Sequence, residues 1–362
     1  MIKYLTAEEK PCSRDLWEEA FPEESSSSDE YYFSEKLKSN RILAIVSGEN
    51  PLRAESMIHL NPYLMQVGNR RWRVDYLVGV ATRRDKRHQG YMRRLLIRMM
   101  EDMRQERAPF CFLMPADAAI YRPFGFTYIF DQPQWRLADS AVADLRRRPV
   151  QEVLETAAVW MNRWMDTRYQ VHTVRDCAYV RQLIKELASE AGTLEALYDG
   201  GSLVGIQGIW GQEKRTQRLL YGEASYIEED KPARPAIMAR IITPEEFVKV
   251  IRLKDTTETE ELVIPLFLED PLIPDNQGAW SWHLTREMSW LEPAEEAAGC
   301  KPQTVEAAKT SAGTEDASAE NGLRLTVTEL TGWLFGYDIP EAARPWAEAV
   351  EPLEGVFIDE TE

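Results

Sequence analysis

Between residues 71 and 114 an apolar run, a cationic turn, a glycine, an amphipathic run and a second apolar run follow in order: RWRVDYLVGVAT, RRDKRHQG, YMRRLLIRMMEDMRQER, AP, FCFLM. The apolar runs, rich in valine, tyrosine, phenylalanine and leucine, predict strands at 71–82 and 110–114. Between them Met92, Leu95, Leu96, Met99, Met100 and Met103 recur at three- and four-residue spacing. That period predicts a helix over 91–107 with one face in a core. Strands at 41–47 and 54–60 precede this strand–helix–strand unit. Consecutive strands followed by such a unit predict a mixed sheet with helices on its faces, an α+β (α/β mixed-sheet) class.

The turn is the chemical anomaly. Arg83, Arg84, Lys86, Arg87 and His88 crowd together in a chain whose formal net charge is −17. A helix that starts at Gln89–Tyr91 bares backbone N–H groups and the positive end of its dipole. Gly90 has no Cβ to keep a ligand from that backbone. With Arg87 beside it, the start is an anion cradle suited to a pyrophosphate. The overall acidity argues against nucleic acid or an anionic membrane as partner and suits a cationic substrate.

The 362-residue chain is long enough for two or three domains. Its four cysteines, Cys12, Cys111, Cys177 and Cys300, stand far apart and pair with no histidine at metal-ligand spacing, so no metal site is expected. The opening MIKYLTAEEK carries no apolar leader and no run reaches membrane-spanning length, which predicts a cytoplasmic protein. Helices are expected at 14–20 and 31–39, with a serine-rich turn at Ser25–Ser28 between them. Strands follow at 126–130, 201–211 and 217–225, and helices near 158–165 and 176–191. Thr243, Pro244 and two glutamates read as a helix start. Strands at 261–270 and 278–285, joined by a Pro/Asp/Asn-rich turn, belong to a third unit. Residues 295–321 hold no aromatics and read as a flexible insertion. The predicted units are 1–135, 136–232 and 233–362.

Two motifs resemble those of the GNAT acetyltransferase superfamily. Val80-Ala81-Thr82 followed by Arg87-His88-Gln89-Gly90-Tyr91-Met92 is similar to its acetyl-CoA signature, Q/R-x-x-G-x-G/A, with Met92 where the pattern has Gly or Ala. Tyr121-Arg122-Pro123-Phe124-Gly125-Phe126 is similar to its second landmark, a tyrosine shortly before Gly-Phe. The order of units and the ending FIDETE resemble the Eis-type enzymes. The resemblance implies a GNAT fold, a second GNAT-like unit, a sterol-carrier-like C-terminal unit and a homo-hexamer. It also implies that the strand at 76–82 splays from its neighbour and pairs with the pantetheine of acetyl-CoA. Val80, Ala81 and Thr82 would then meet the thioester arm, and Arg87, His88, Gln89, Gly90, Tyr91 and Met92 the pyrophosphate. Tyr121 takes the place of the general acid, and the α-carboxylate of Glu362 that of the base. The acceptor would be a primary amine, either an aminoglycoside-like polyamine or a lysine side chain. A non-catalytic acetyl-CoA sensor and a lipid-binding carrier are the competing classes.

Overall fold

The computed structural model describes residues 1–48, 51–142, 144–211, 214–294 and 322–360. The expected insertion at 295–321 and Glu362 lie outside them. The first part of the chain forms β1 (Ile2–Tyr4), α1 (Arg14–Ala20), α2 (Ser26–Glu35), β2 (Arg41–Ser47), β3 (Arg53–Val67), β4 (Arg70–Thr82), α3 (Tyr91–Gln105), β5 (Phe110–Leu113), α4 (Ala118–Tyr121) and β6 (Thr127–Leu137). The apolar face of α3 packs on β2, β3 and β4 through the buried Leu95, Leu96, Met99, Met100 and Met103. Each of these side chains contributes about 1.5–3 kcal/mol by leaving water. The serine run is not a turn. Ser25 is an N-cap whose hydroxyl accepts from the Ser28 amide at 3.0 Å, so α2 begins at Ser26, five residues before the expected start.

The chain continues as α5 (Asp139–Val142), β7 (Arg146–Pro149), α6 (Leu154–Asp166), β8 (Val171–Thr173), α7 (Cys177–Ser189), β9 (Thr193–Asp199), β10 (Ser202–Trp210) and β11 (Thr216–Gly222). Four of these strands make an antiparallel sheet in the order β11-β10-β9-β7, packed against α7. β8 instead joins the first sheet, antiparallel to β3 at Met65–Val67.

β12 (Ile227–Ile241) then returns to the first sheet and lies antiparallel between β5 and β6. The expected boundary between residues 232 and 233 falls inside this strand. Pro232 and Pro235 have the look of a linker, because proline cannot donate to a ladder. The strand accommodates them with register shifts between Lys231 and Arg234 and between Pro235 and Ile237. The first sheet therefore runs β1-β2-β3-β4-β5-β12-β6.

The last unit holds α8 (Pro244–Phe247), β13 (Arg252–Leu253), β14 (Glu261–Glu269), β15 (Gly278–Thr285), β16 (Ser289–Pro293), β17 (Leu323–Thr326), α9 (Val327–Leu334), β18 (Val350–Glu351) and β19 (Val356–Phe357). Its sheet is β16-β15-β14-β17, with β17 parallel to β14. The helix expected from Thr243 is one α-helical turn only, and the Thr243 side chain makes no capping bond. α9 packs on β12 and β6, which seats this unit against the first sheet. The contact is locked by Arg240 of β12. Its guanidinium is fully buried, donates to the Phe124 carbonyl at 2.9 Å and pairs with both oxygens of buried Asp270 at 2.7 and 2.8 Å. Replacing Asp270 by Ala strands that cation in a dry interior. Denaturant unfolding should show a loss of about 3–5 kcal/mol, most of it recovered when Arg240→Met is combined with Asp270→Leu.

Candidate active site

β4 and β5 are parallel, yet their register holds a single pair, Tyr76 with Phe112. Past Tyr76 the remainder of β4 pairs with no strand on that side among the described residues, which is the splay expected for residues 76–82. On its other side β4 pairs with β3, but three steps along β4, Val78 to Ala81, match two along β3, His59 to Met57. The extra residue is a bulge at Gly79 and Val80. Gly79 has φ +59°, and a Cβ there would lie 2.5 Å from the indole of Trp17. Trp17 therefore packs directly on the bulge. His59 lies beneath it, its Nδ1 3.1 Å from the Tyr32 hydroxyl, and burial pushes the imidazole down to about 3, which keeps it neutral.

β4 leads into the cationic turn. Gly90 is the N-cap of α3 at φ +76°, no side chain caps it, and a Cβ there would meet nothing within 4 Å. The space beside Gly90 is open, and the first amides of a helix have no intrahelical acceptor. His88 also takes a left-handed conformation, φ 60°, which turns the chain toward the helix. Arg87 and His88 are exposed, and Arg87 Nε donates to the Thr82 carbonyl at 3.2 Å. Gln89 donates to the Asp85 carbonyl at 2.9 Å. Tyr91 and Met92 are half-buried. Arg83 is different from its neighbours. It is buried, donates to the Ala54 carbonyl and pairs with Glu19 of α1 at 3.0 Å. Glu19 also accepts from the Arg84 amide at 2.9 Å, so it fixes the turn.

α4 follows β5 as α3 follows β4, and parallel strands end at the same edge of a sheet. Tyr121 is the last residue of α4, which follows β5, the strand parallel to β4. Its ring meets Phe126 edge-on at 6.0 Å. Burial pushes its phenol up to about 12.

Two cavities flank the last described residues of the chain. One, of about 670 Å³, is lined by Trp17, Asp29, Tyr32, Phe130, Arg218 and Asp359 among others. The second, of about 280 Å³, is lined by Tyr63, Tyr179, Arg218 and Glu360 among others. Between them lies a buried ionic knot. Arg175, fully buried, pairs with both Asp359 and Glu360. Tyr221 donates to Asp359, Tyr179 donates to Glu360 at 3.1 Å, and Arg218 donates to the Asp359 carbonyl at 2.9 Å. Burial raises the Asp359 carboxyl against the pull of Arg175. Burial also opposes ionisation of Glu360, but Arg175 beside it brings the net shift down. The sequence signals for this knot, an acidic ending and isolated arginines, do not show which would meet.

Residues 1–129 match the acetyltransferase (GNAT) domain family. No curated protein sequence matches the chain. The fold is similar over its whole length to solved structures of low identity. A conserved protein of unknown function from Enterococcus faecalis V583, described as a "Probable N-Acyltransferase", has a TM-score of 0.72 at 15% identity, with 99% of each chain covered. A GCN5-related N-acetyltransferase from Kribbella flavida gives 0.70 at 13%, covering 99% of this chain and 98% of that one. Eis1 from Mycobacterium abscessus gives 0.66 at 12%, with 100% of both covered. Residues 1–129 thus match the GNAT acetyltransferase domain family, and the whole chain has a fold similar to that of Eis1.

Proposed function

We propose that the chain transfers an acetyl group from acetyl-CoA to a primary amine. The observation that carries this reading is the opened edge of β4. It runs from the one β4–β5 pair to the bulge at Gly79 and on to the uncapped start of α3. Pantetheine amides add to such an edge as a strand would. Val80, Ala81 and Thr82 supply the backbone, and a bulge amide polarises the thioester carbonyl. The pyrophosphate sits on the amides of Gln89, Gly90, Tyr91 and Met92, with Arg87 and His88 alongside.

The amine must first lose a proton. With a pKa of about 10.4 it is charged at neutral pH, and freeing its lone pair costs roughly 4.6 kcal/mol. The α-carboxylate of Glu362 is the proposed base. Support comes from its neighbours: the ionic knot brings Asp359 and Glu360 to the cavity walls. The free amine attacks the carbonyl, a C–N bond forms and the C–S bond breaks. Tyr121 donates its proton to the departing sulfur and recovers one from the amine. A phenol near 12 is some 3.5 units weaker as an acid than a thiol at about 8.5. Complete transfer to a free thiolate is therefore uphill, and the proton moves while the C–S bond is still breaking. The primary amines that the resemblance implies are aminoglycoside-like polyamines and lysine side chains.

Calorimetry and thiol release test the acid. Tyr121→Phe should bind acetyl-CoA with unchanged affinity while kcat drops about 100-fold or more. In the unaltered protein the phenol stays protonated below its value of about 12, so kcat should not fall as pH rises to about 10. A decline centred near pH 8 would assign the proton to another group. Deleting Glu362 should lower kcat far more than acetyl-CoA affinity, and unchanged turnover would remove the carboxylate from the mechanism.

A further inference from the structure

Trp17 touches both the bulge and the larger cavity. The Cζ3 and Cε3 atoms of its benzo ring lie against Gly79, where a Cβ would come within 2.5 and 3.0 Å of them. The same side chain lines the 670 Å³ cavity beside Tyr32 and Asp29. A group that starts at the bulge and heads for the cavity past Gly79 meets the indole first.

The indole cannot step aside cheaply. It is 5% exposed. Tyr32 stacks on it at 4.3 Å between ring centroids, and Phe21 and Phe33 meet it at 4.9 and 5.9 Å. The His59 ring is 5.2 Å away. The indole N–H donates to Oδ1 of buried Asp29 at 2.9 Å. Trp17 belongs to α1, whereas Asp29, Tyr32 and Phe33 belong to α2, so the two helices fix it jointly. Turning the ring would leave a buried donor without its acceptor and break the stack with Tyr32. An added methylene pressed against packing of this kind produces strain.

We propose that Trp17 is the acyl-length stop of the donor site: the methyl of the acetyl group ends against the benzo edge of the indole, and butyryl and longer chains are excluded. This rests on the acetyl-transfer reading, in which a bulge amide holds the thioester carbonyl, and deepens it by restricting the donor to short acyl thioesters. Gly79 serves the same end, because any side chain there would displace the indole. Without a stop the trend would run the other way. Each methylene buried in protein strengthens binding about fourfold, so chains that could reach the cavity would bind more tightly as they lengthened.

Calorimetry of the full chain with CoA, acetyl-CoA, butyryl-CoA and hexanoyl-CoA tests the stop with no acceptor present. Acetyl-CoA should bind about tenfold or more tightly than butyryl-CoA, and hexanoyl-CoA no better than butyryl-CoA. Trp17→Phe withdraws the benzo edge and keeps a ring against Tyr32. It should bring acetyl-CoA and butyryl-CoA within about threefold of each other. Equal or tighter binding of butyryl-CoA or hexanoyl-CoA by the unaltered protein overturns the proposal, and so does an unchanged preference in Trp17→Phe. Should Trp17→Phe fail to fold, Asp29→Ala, which unties the indole, takes its place with the same expected and overturning results. If neither CoA nor acetyl-CoA binds, the acetyl-transfer reading falls and this inference with it. If both bind and butyryl-CoA carries no penalty, this inference falls alone.

Discussion

The opening in the first sheet persists because β12 is wedged between β5 and β6. β5 is only four residues long, and all four pair with β12, from Phe110 with Ile241 to Leu113 with Met238. β4 is held on its far side by β3 along almost its whole length. Neither strand is free to swing across and close the gap beyond Tyr76. A free strand edge invites pairing with any extended chain. Here that edge is confined to one short stretch, flanked by the bulge and by α3, so it accepts an arm of limited length. β12 also carries Arg240, whose pair with Asp270 holds the third unit against the turn that follows Tyr121. One strand thus maintains the splay and braces the far side of the same site.

The C-terminal knot follows different energetics. Burying Arg175, Asp359 and Glu360 together is poor stability engineering, because apolar residues of the same volume would cost less. The geometry explains what the cost secures. Arg175 precedes α7, Tyr221 lies in β11 and Tyr179 lies in α7, so the knot ties the last described residues to the second unit. The tie is directional, since an arginine fork donates to two carboxylates only at certain angles. A hydrophobic ending would stick; this ending is placed. Placement matters where Asp359 and Glu360 wall two cavities.

The sequence was legible where periodicity and local chemistry decide the structure. α1 and β2 occur at the residues expected, and the buried face of α3 is the expected one save for the half-buried Met92. It was misleading where local signals compete. Four consecutive serines look like a loop, yet Ser25 caps a helix, and that helix delivers Asp29 to the cavity. A boundary between 232 and 233 is expected, yet both residues lie in β12, which bridges two other strands. Arg83 is indistinguishable from Arg84 or Arg87 in a string of letters. Only the fold shows that Glu19 has claimed it and left its neighbours exposed. The bulge at Gly79 is hidden for another reason: a glycine in a strand signals something close by, and its occupant, Trp17, lies 62 residues earlier.

The contrast between an acidic chain and a cationic turn resolves by distance. At physiological ionic strength charges are screened over about 8 Å, so an anion near α3 responds to the groups within that radius. The turn that leads into α3 carries the exposed Arg84, Arg87 and His88, and its Asp85 is paired with Lys86 at 3.5 Å. The net charge of −17 acts on the approach, slowing polyanions that arrive elsewhere and favouring amines at every face. A two-substrate site needs that division. On the proposed reading, the anionic donor would meet a local array of N–H groups, and the cationic acceptor the field of the whole molecule. Because Glu19 spends its charge on Arg83 and on the Arg84 amide, the one acidic side chain of α1 bonded to this turn orders the array instead of neutralising it.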